Sequence, residues 1–111
     1  IIIGVDTMNK YCMIETASDK KDEIVRIAKR LLDEKIAASC HIIESESSWN
    51  WHNERESAKE YLLQIKTKKT CQKEIYEVIK TIHSYDCFEF AVYDFSTINN
   101  DYLNWIEGEI K

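Results

Sequence analysis

Apolar and polar positions alternate, then regroup, along the 111-residue chain, and each change of period predicts an element. Tyr11 to Ala17 is a short apolar run with β-branched Ile14 and Thr16, which predicts a central strand. Ile24, Ile27, Ala28, Leu31 and Leu32 then recur at helical spacing, so the next segment predicts an amphipathic helix capped by Ser18 or Asp19. Asp22 with Arg26 and Arg30 with Glu34 are opposite charges one turn apart on its outer faces. From Ile36 to Trp51 alternation returns, with Ala38, Cys40 and Ile42 on one side and His41, Ile43, Trp49 and Trp51 on the other. A polar bend near His52 to Arg55 and a second alternating run from Glu60 to Thr67 complete a long hairpin. Cys71, Ile75, Val78, Ile79 and Ile82 predict a second helix with Thr70 as its cap. Phe88 to Phe95 predicts an aromatic strand, and Asn99 or Asn100 caps a terminal helix with Tyr102, Trp105 and Ile106 on one side.

The order βαββαβ plus a C-terminal helix is that of the α+β ferredoxin-like split βαβ fold, in which two right-handed crossovers interleave into one antiparallel sheet. Both helices then lie on one sheet face, and the other face lacks a cover. The hairpin between the second and third strands, carrying Trp49, Trp51 and Tyr61, is too long for so small a domain. Exposed apolar area of that extent marks an interface, so the chain is expected to self-associate, the alternative being a hairpin folded back on its own sheet.

Length favours one domain, read as residues 1–111 with an ordered core at about 11–107 and residues 1–10 as a leader or tail. Two Gly and no Pro leave no composition that marks a flexible linker. Twenty acidic against fifteen basic residues give a net charge of −5, which disfavours nucleic acid and anionic membranes as partners. No apolar run approaches the roughly 20 residues a membrane helix needs. The four cysteines are widely spaced without a Cys-x-x-Cys pair, so reduced thiols are expected rather than a zinc ribbon or redox centre.

An ordered series of blocks runs through residues 11 to 107. These are Glu34-Lys35-Ile36-Ala37-Ala38-Ser39-Cys40-His41-Ile42-Ile43, Ser48-Trp49-Asn50-Trp51, Glu60-Tyr61-Leu62-Leu63-Gln64-Ile65-Lys66-Thr67, His83-Ser84-Tyr85-Asp86 and Asp101-Tyr102-Leu103-Asn104-Trp105-Ile106. In this series the chain resembles the CutA divalent-cation tolerance proteins. The resemblance implies a ferredoxin-like protomer joined through its hairpins into a homotrimer similar to the PII signalling proteins, with divalent cations, copper above all, as ligands. It implies a role in metal-ion response, no enzymatic reaction and no required cofactor, while a cytoplasmic setting is expected from the lack of an apolar span and of a signal pattern. Departures from the family pattern fall in two loops: Ser84 and Phe88 stand where the family has prolines, and Asn53-Glu54 replaces Gly-Lys. Asp86 takes the place of a Glu and is one methylene shorter.

The metal candidates are His83, Asp86, Cys87 and Glu89, joined by Glu15 if the first strand lies beside the last. By resemblance His83 and Glu89 occupy metal-site positions, and Glu15 replaces a residue that is Cys in some members. Imidazole, carboxylate and thiolate together suit copper(II) or zinc(II) better than calcium or magnesium. A second reading of His83, as a hydrogen-bonded loop residue after a helix, stands beside the first. Cys40 and His41 are adjacent on a strand and point to opposite faces, so one ion cannot use both. Trp51, Lys66, Tyr85 and Tyr102 are the candidates to line an inter-subunit cleft, with trimer packing as the plainer reading. The alternative function is accordingly a PII-like signalling or scaffold trimer whose clefts take a small molecule or a protein.

Overall fold

A computed structural model describes residues 5, 6 and 10–111. Strand β1 (Val5–Asp6) is followed by β2 (Tyr11–Ser18), α1 (Lys21–Asp33), β3 (Ser39–Trp51) and β4 (Glu54–Lys68). A 3-10 turn, Lys69–Cys71, leads into α2 (Gln72–Ile82), and β5 (Ala91–Asp94), β6 (Thr97–Ile98) and α3 (Asn100–Glu109) complete the chain. The main sheet has the order β3-β4-β2-β5 with every pair antiparallel, which is the split βαβ arrangement. Of the stretch read as a leader, Val5–Asp6 pairs with Thr97–Ile98. Residues 1–4 and 7–9 lie outside the described residues.

Strand parity decides what each face carries. Cys12, Ile14 and Thr16 of β2 stand opposite Thr67, Ile65 and Leu63 of β4, and all six are fully buried beneath α1 and α2. Ile24, Ile27 and Leu31 of α1 and Ile75 and Ile79 of α2 have no exposed surface and close this core. Each such side chain contributes about 2 to 3 kcal/mol of transfer free energy. Leu32, expected on the same helix face, lies at its margin and is 42% exposed.

The opposite face carries Met13, Glu15 and Ala17 of β2 beside Lys66, Gln64 and Leu62 of β4. Helix α3 covers one end of it: Lys66 Nζ lies 5.7 Å over the Tyr102 ring, Lys68 pairs with Glu107 at 2.7 Å, and the Tyr11 hydroxyl donates to Glu107. The remainder stays open, and Ile43 and Tyr93 are 42% and 49% exposed there.

The helix ends differ from the simplest sequence expectation. Lys20 occupies the N-cap of α1 with no side-chain cap, while Ser18 acts from two residues upstream, accepting the Lys20 N–H at 3.1 Å. No side chain caps α2 either, because the Lys69–Cys71 turn supplies its entry in place of Thr70. At the far end of α1, Ile36 N–H donates to Leu31 O and Lys35 N–H to Leu32 O, both at 3.1 Å, with Lys35 left-handed at φ 57°. This is a Schellman motif closed by the buried pair Leu31 and Ile36.

The hairpin is longer than alternation alone indicated, because β4 begins at Glu54 and pairs without a break up to Trp51↔Glu54. His52 and Asn53 form its two-residue turn with φ of 49° and 67°. Two left-handed residues match the right-handed twist of the flanking strands, and Asn is among the few non-glycine residues that adopt this conformation readily. Asn53 thus keeps the turn where the family pattern has Gly. The arm makes the molecule 50 Å long, with a radius of gyration of 15.1 Å against roughly 13 Å for a compact chain of this length.

Candidate functional site

Two segments meet where the hairpin arm leaves the sheet. One is β4 around Glu60, one residue beyond the last β2–β4 partners, Ser18↔Tyr61. The other is the irregular stretch 83–90, expected in part as strand from Phe88 but free of ladder pairing until Ala91.

His83 anchors that stretch. Its side chain is completely buried, its Nε2 donates to Ala17 O at 2.8 Å, and its Nδ1 accepts the Tyr85 N–H at 3.1 Å. This pattern fixes the tautomer with the proton on Nε2. The ring also stacks on Phe88 at 5.1 Å. Beneath it, Glu23 accepts hydrogen bonds from Ser18 at 2.7 Å and Ser84 at 3.2 Å. Burial alone raises the Glu23 carboxyl, but those hydroxyls, the Ser84 N–H and nearby His83 outweigh it and hold it below its ordinary value. Both ring nitrogens are therefore engaged within the protein, and Ser84, standing where the family has Pro, joins the network that holds the loop.

Tyr85 carries the loop outward. Its hydroxyl donates to Glu60 at 2.9 Å and accepts the Asp19 N–H at 3.0 Å. Burial, then the hydrogen bond to Glu60 and its charge, push the phenol well above its ordinary value. Glu60 is itself 9% exposed, a buried carboxylate that sequence reasoning missed. Its signal was its parity, since it shares the open face with Leu62 and Gln64.

Glu15 and Glu89 come together as the adjacency of β2 and β5 requires, Glu15 standing opposite Ala91. Gln64 donates to Glu15 at 3.1 Å. Partial burial, a hydrogen bond with Glu15 and the charges of Glu15 and Glu60 raise the Glu89 carboxyl to about 7. Asp86, Cys87 and Glu89 line a groove of about 640 Å³ together with Trp49, Trp51, Glu56, Glu60 and Tyr85. Cys87 is exposed. Among the described residues no three His, Cys, Asp or Glu side chains converge as a ligand set within one chain.

The residues proposed for a cleft divide in two. Trp51 and Tyr85 line this groove, whereas Lys66 and Tyr102 pair beneath α3, with Lys66 Nζ 3.4 Å from His41 Nε2. Tyr61 points to the helix side, where Lys21 Nζ lies 6.0 Å over its ring, and Trp49 and Trp51 alone carry the outer hairpin's aromatic face. Among the described residues no helix is long and apolar enough to cross a membrane.

Residues 12–109 match the family model described as CutA1 divalent ion tolerance protein. The divalent-cation tolerance protein CutA of Pyrococcus horikoshii is 31% identical over 86 residues, 78% of this chain and 84% of that protein. The Archaeoglobus fulgidus protein of the same description is 30% identical over 81% of this chain and 88% of its own length. Its solved structure, described as periplasmic, superposes with a TM-score of 0.87 at 28% identity, covering 91% of this chain and 99% of that one. The chain belongs to the CutA1 divalent ion tolerance family.

Proposed function

We propose that this protein serves divalent-cation tolerance as a homotrimer that binds a divalent cation, copper(II) among them, at the Glu15–Glu89 carboxylate pair. The observation that carries the reading is the convergence of these two carboxyls beside Glu60, set by the pairing of Glu15 with Ala91 and felt in the raised Glu89 carboxyl. Carboxylates brought this close repel unless a proton or a cation lies between them, and a divalent ion answers the charge of both. The donor set fits an ion that accepts oxygen ligands. His83 is sealed by Ala17 and Tyr85, so its part is to hold the loop that presents Glu89. Copper(II) stands at the top of the affinity order for an unspecialised site, which keeps it in the reading without an imidazole or thiolate. Two carboxylates leave coordination positions for water or for donors of another subunit. The exposed Ile43 and Tyr93 and the extended hairpin support self-association through the uncovered face.

Calorimetric titration of copper(II), zinc(II) and magnesium(II) into the purified protein tests this. Saturable binding that weakens at least tenfold in Glu89→Gln, about 1.4 kcal/mol, supports the pair. Binding that is unchanged in both Glu89→Gln and Glu15→Gln overturns it.

A further inference from the structure

We infer that a cavity on the helix side of the sheet binds a nucleoside monophosphate, with the phosphate on Lys69 and Lys73 and the base on the ring of Tyr76. The cavity has a volume of about 480 Å³ and is lined by Lys69, Thr70, Gln72, Lys73, Tyr76 and Phe90. That volume falls within the roughly 300 to 1,000 Å³ usual for small-molecule sites. The fold sets its place. Val92 and Asp94 stand opposite Ile14 and Cys12, so they face the helices, and Asp94 holds Lys69 at 3.0 Å. Just before β5, Phe90 packs edge-on against Tyr76 of α2, with ring centroids 5.1 Å apart. The cavity is therefore walled by α2 and the approach to β5. None of its residues belongs to the hairpin or to the uncovered face through which self-association is proposed, so assembly leaves it open.

Charge and ring surface point to one occupant. In a chain of net charge −5, residues 66–73 hold four lysines and no carboxylate, and two of those lysines border the cavity. The lining contains no Asp or Glu, so a cation finds no counter-charge in it, whereas an anion meets two ammonium groups. Lys69 gives one donor to Asp94 and keeps two. Among the described residues the side chains of Thr70, Gln72 and Lys73 have no hydrogen-bond or ion-pair partner, which leaves them for a ligand. Two lysines match the charge of a single phosphate, about −1.5 to −2 at neutral pH. Inorganic phosphate alone leaves the ring surface unused. Tyr76 is 37% exposed, held by Phe88 and Phe90, and stands one helical turn from Lys73, about 5 to 6 Å between their first side-chain carbons. A nucleobase stacks on such a ring whatever its edge carries, and one ribose separates it from its phosphate. The inference goes beyond the metal reading and is independent of it, sharing no residue with the Glu15–Glu89 pair.

Calorimetric titration of adenosine monophosphate into the whole chain at pH 7.5, with EDTA present to remove metal ions, tests it. Adenosine and inorganic phosphate serve as comparisons. Saturable binding of the monophosphate is expected, at least tenfold tighter than either comparison, because each of those carries only half of what the cavity recognises. The constant should weaken at least fivefold in Lys73→Gln and in Tyr76→Leu, both exposed positions whose folding is verified by circular dichroism. Lys80→Gln makes the same charge change two turns further along α2 and should leave it within twofold. Absence of saturable binding overturns the inference. So does adenosine or phosphate binding as tightly as the monophosphate, the latter being the mark of an adventitious ion only. Equal weakening in Lys80→Gln, or an unchanged constant in either Lys73→Gln or Tyr76→Leu, overturns it as well.

Discussion

Replacing His83 with Ala separates a ligand from a structural keystone. The substitution removes a side chain with no exposed surface, its stacking on Phe88 at 5.1 Å and two hydrogen bonds. The cavity contributes about 2 kcal/mol. The orphaned Ala17 carbonyl and Tyr85 N–H add about 1 kcal/mol each even if water reaches them in part. The expected loss is about 3 to 4 kcal/mol, a large share of the 5 to 15 kcal/mol typical of a domain, and roughly 10 °C or more in melting temperature. Urea unfolding at pH 8 and fixed protein concentration measures it, because the proposed self-association would make stability concentration-dependent. His83→Gln, whose amide can still donate to Ala17 O, should recover at least about 1 kcal/mol. A loss below about 1 kcal/mol in the alanine variant, or no recovery in the glutamine variant, would refute the anchoring role.

Three further outcomes follow from the geometry. Glu89 titrates near 7 in the folded protein against 4.5 ordinarily, so the folded state keeps a proton that the unfolded chain releases. Its stabilisation is complete below pH 4.5 and is lost as pH rises through 7. The shift taken whole corresponds to about 3 kcal/mol, but Glu89 is exposed, and solvent screening reduces this to about 1 kcal/mol. Urea midpoints at pH 5 and pH 8 should show that decline in the natural protein and a flatter profile in Glu89→Gln; equal slopes would contradict the coupling. Lys35→Gly relieves a left-handed residue at the end of α1 and should stabilise by about 0.5 to 1 kcal/mol, whereas a destabilised variant would mean that Lys35 makes compensating contacts. Tyr85→Phe removes the bond to Glu60 and the acceptor of the Asp19 N–H, at a cost of about 1 to 2 kcal/mol by thermal melting, and an unchanged melting temperature would rule out that link.

Much of the fold was legible because period alone separates strands from helices here. Ile14, Leu63 and Ile65 fall where alternation puts them, and the split βαβ order follows from element sequence and handedness. The adjacency of Glu15 and Glu89 was legible too, since the fold sets the first strand of the motif beside the last. What the pattern did not carry was long-range and polar. Phe88 to Phe90 read as strand by composition, but the stacking of Phe88 on His83 and the packing of Phe90 edge-on against Tyr76 at 5.1 Å hold them outside the ladder. The sealing of His83 depends on a carbonyl 66 positions away, and the burial of Glu60 on a tyrosine 25 positions away. No local spacing encodes either contact. Likewise Ser18 could be recognised as a residue for the start of α1, but its bond to buried Glu23 belongs to the tertiary network.

The most direct test of the central claim is anomalous X-ray diffraction from crystals of the protein soaked with copper(II), recorded on either side of the metal's absorption edge. The account predicts an anomalous peak between the Glu15 and Glu89 carboxylates, with His83 still bonded to Ala17 and Tyr85. A peak on His83 or Cys87 with none at the carboxylate pair would contradict it, as would a crystal without any ordered copper site.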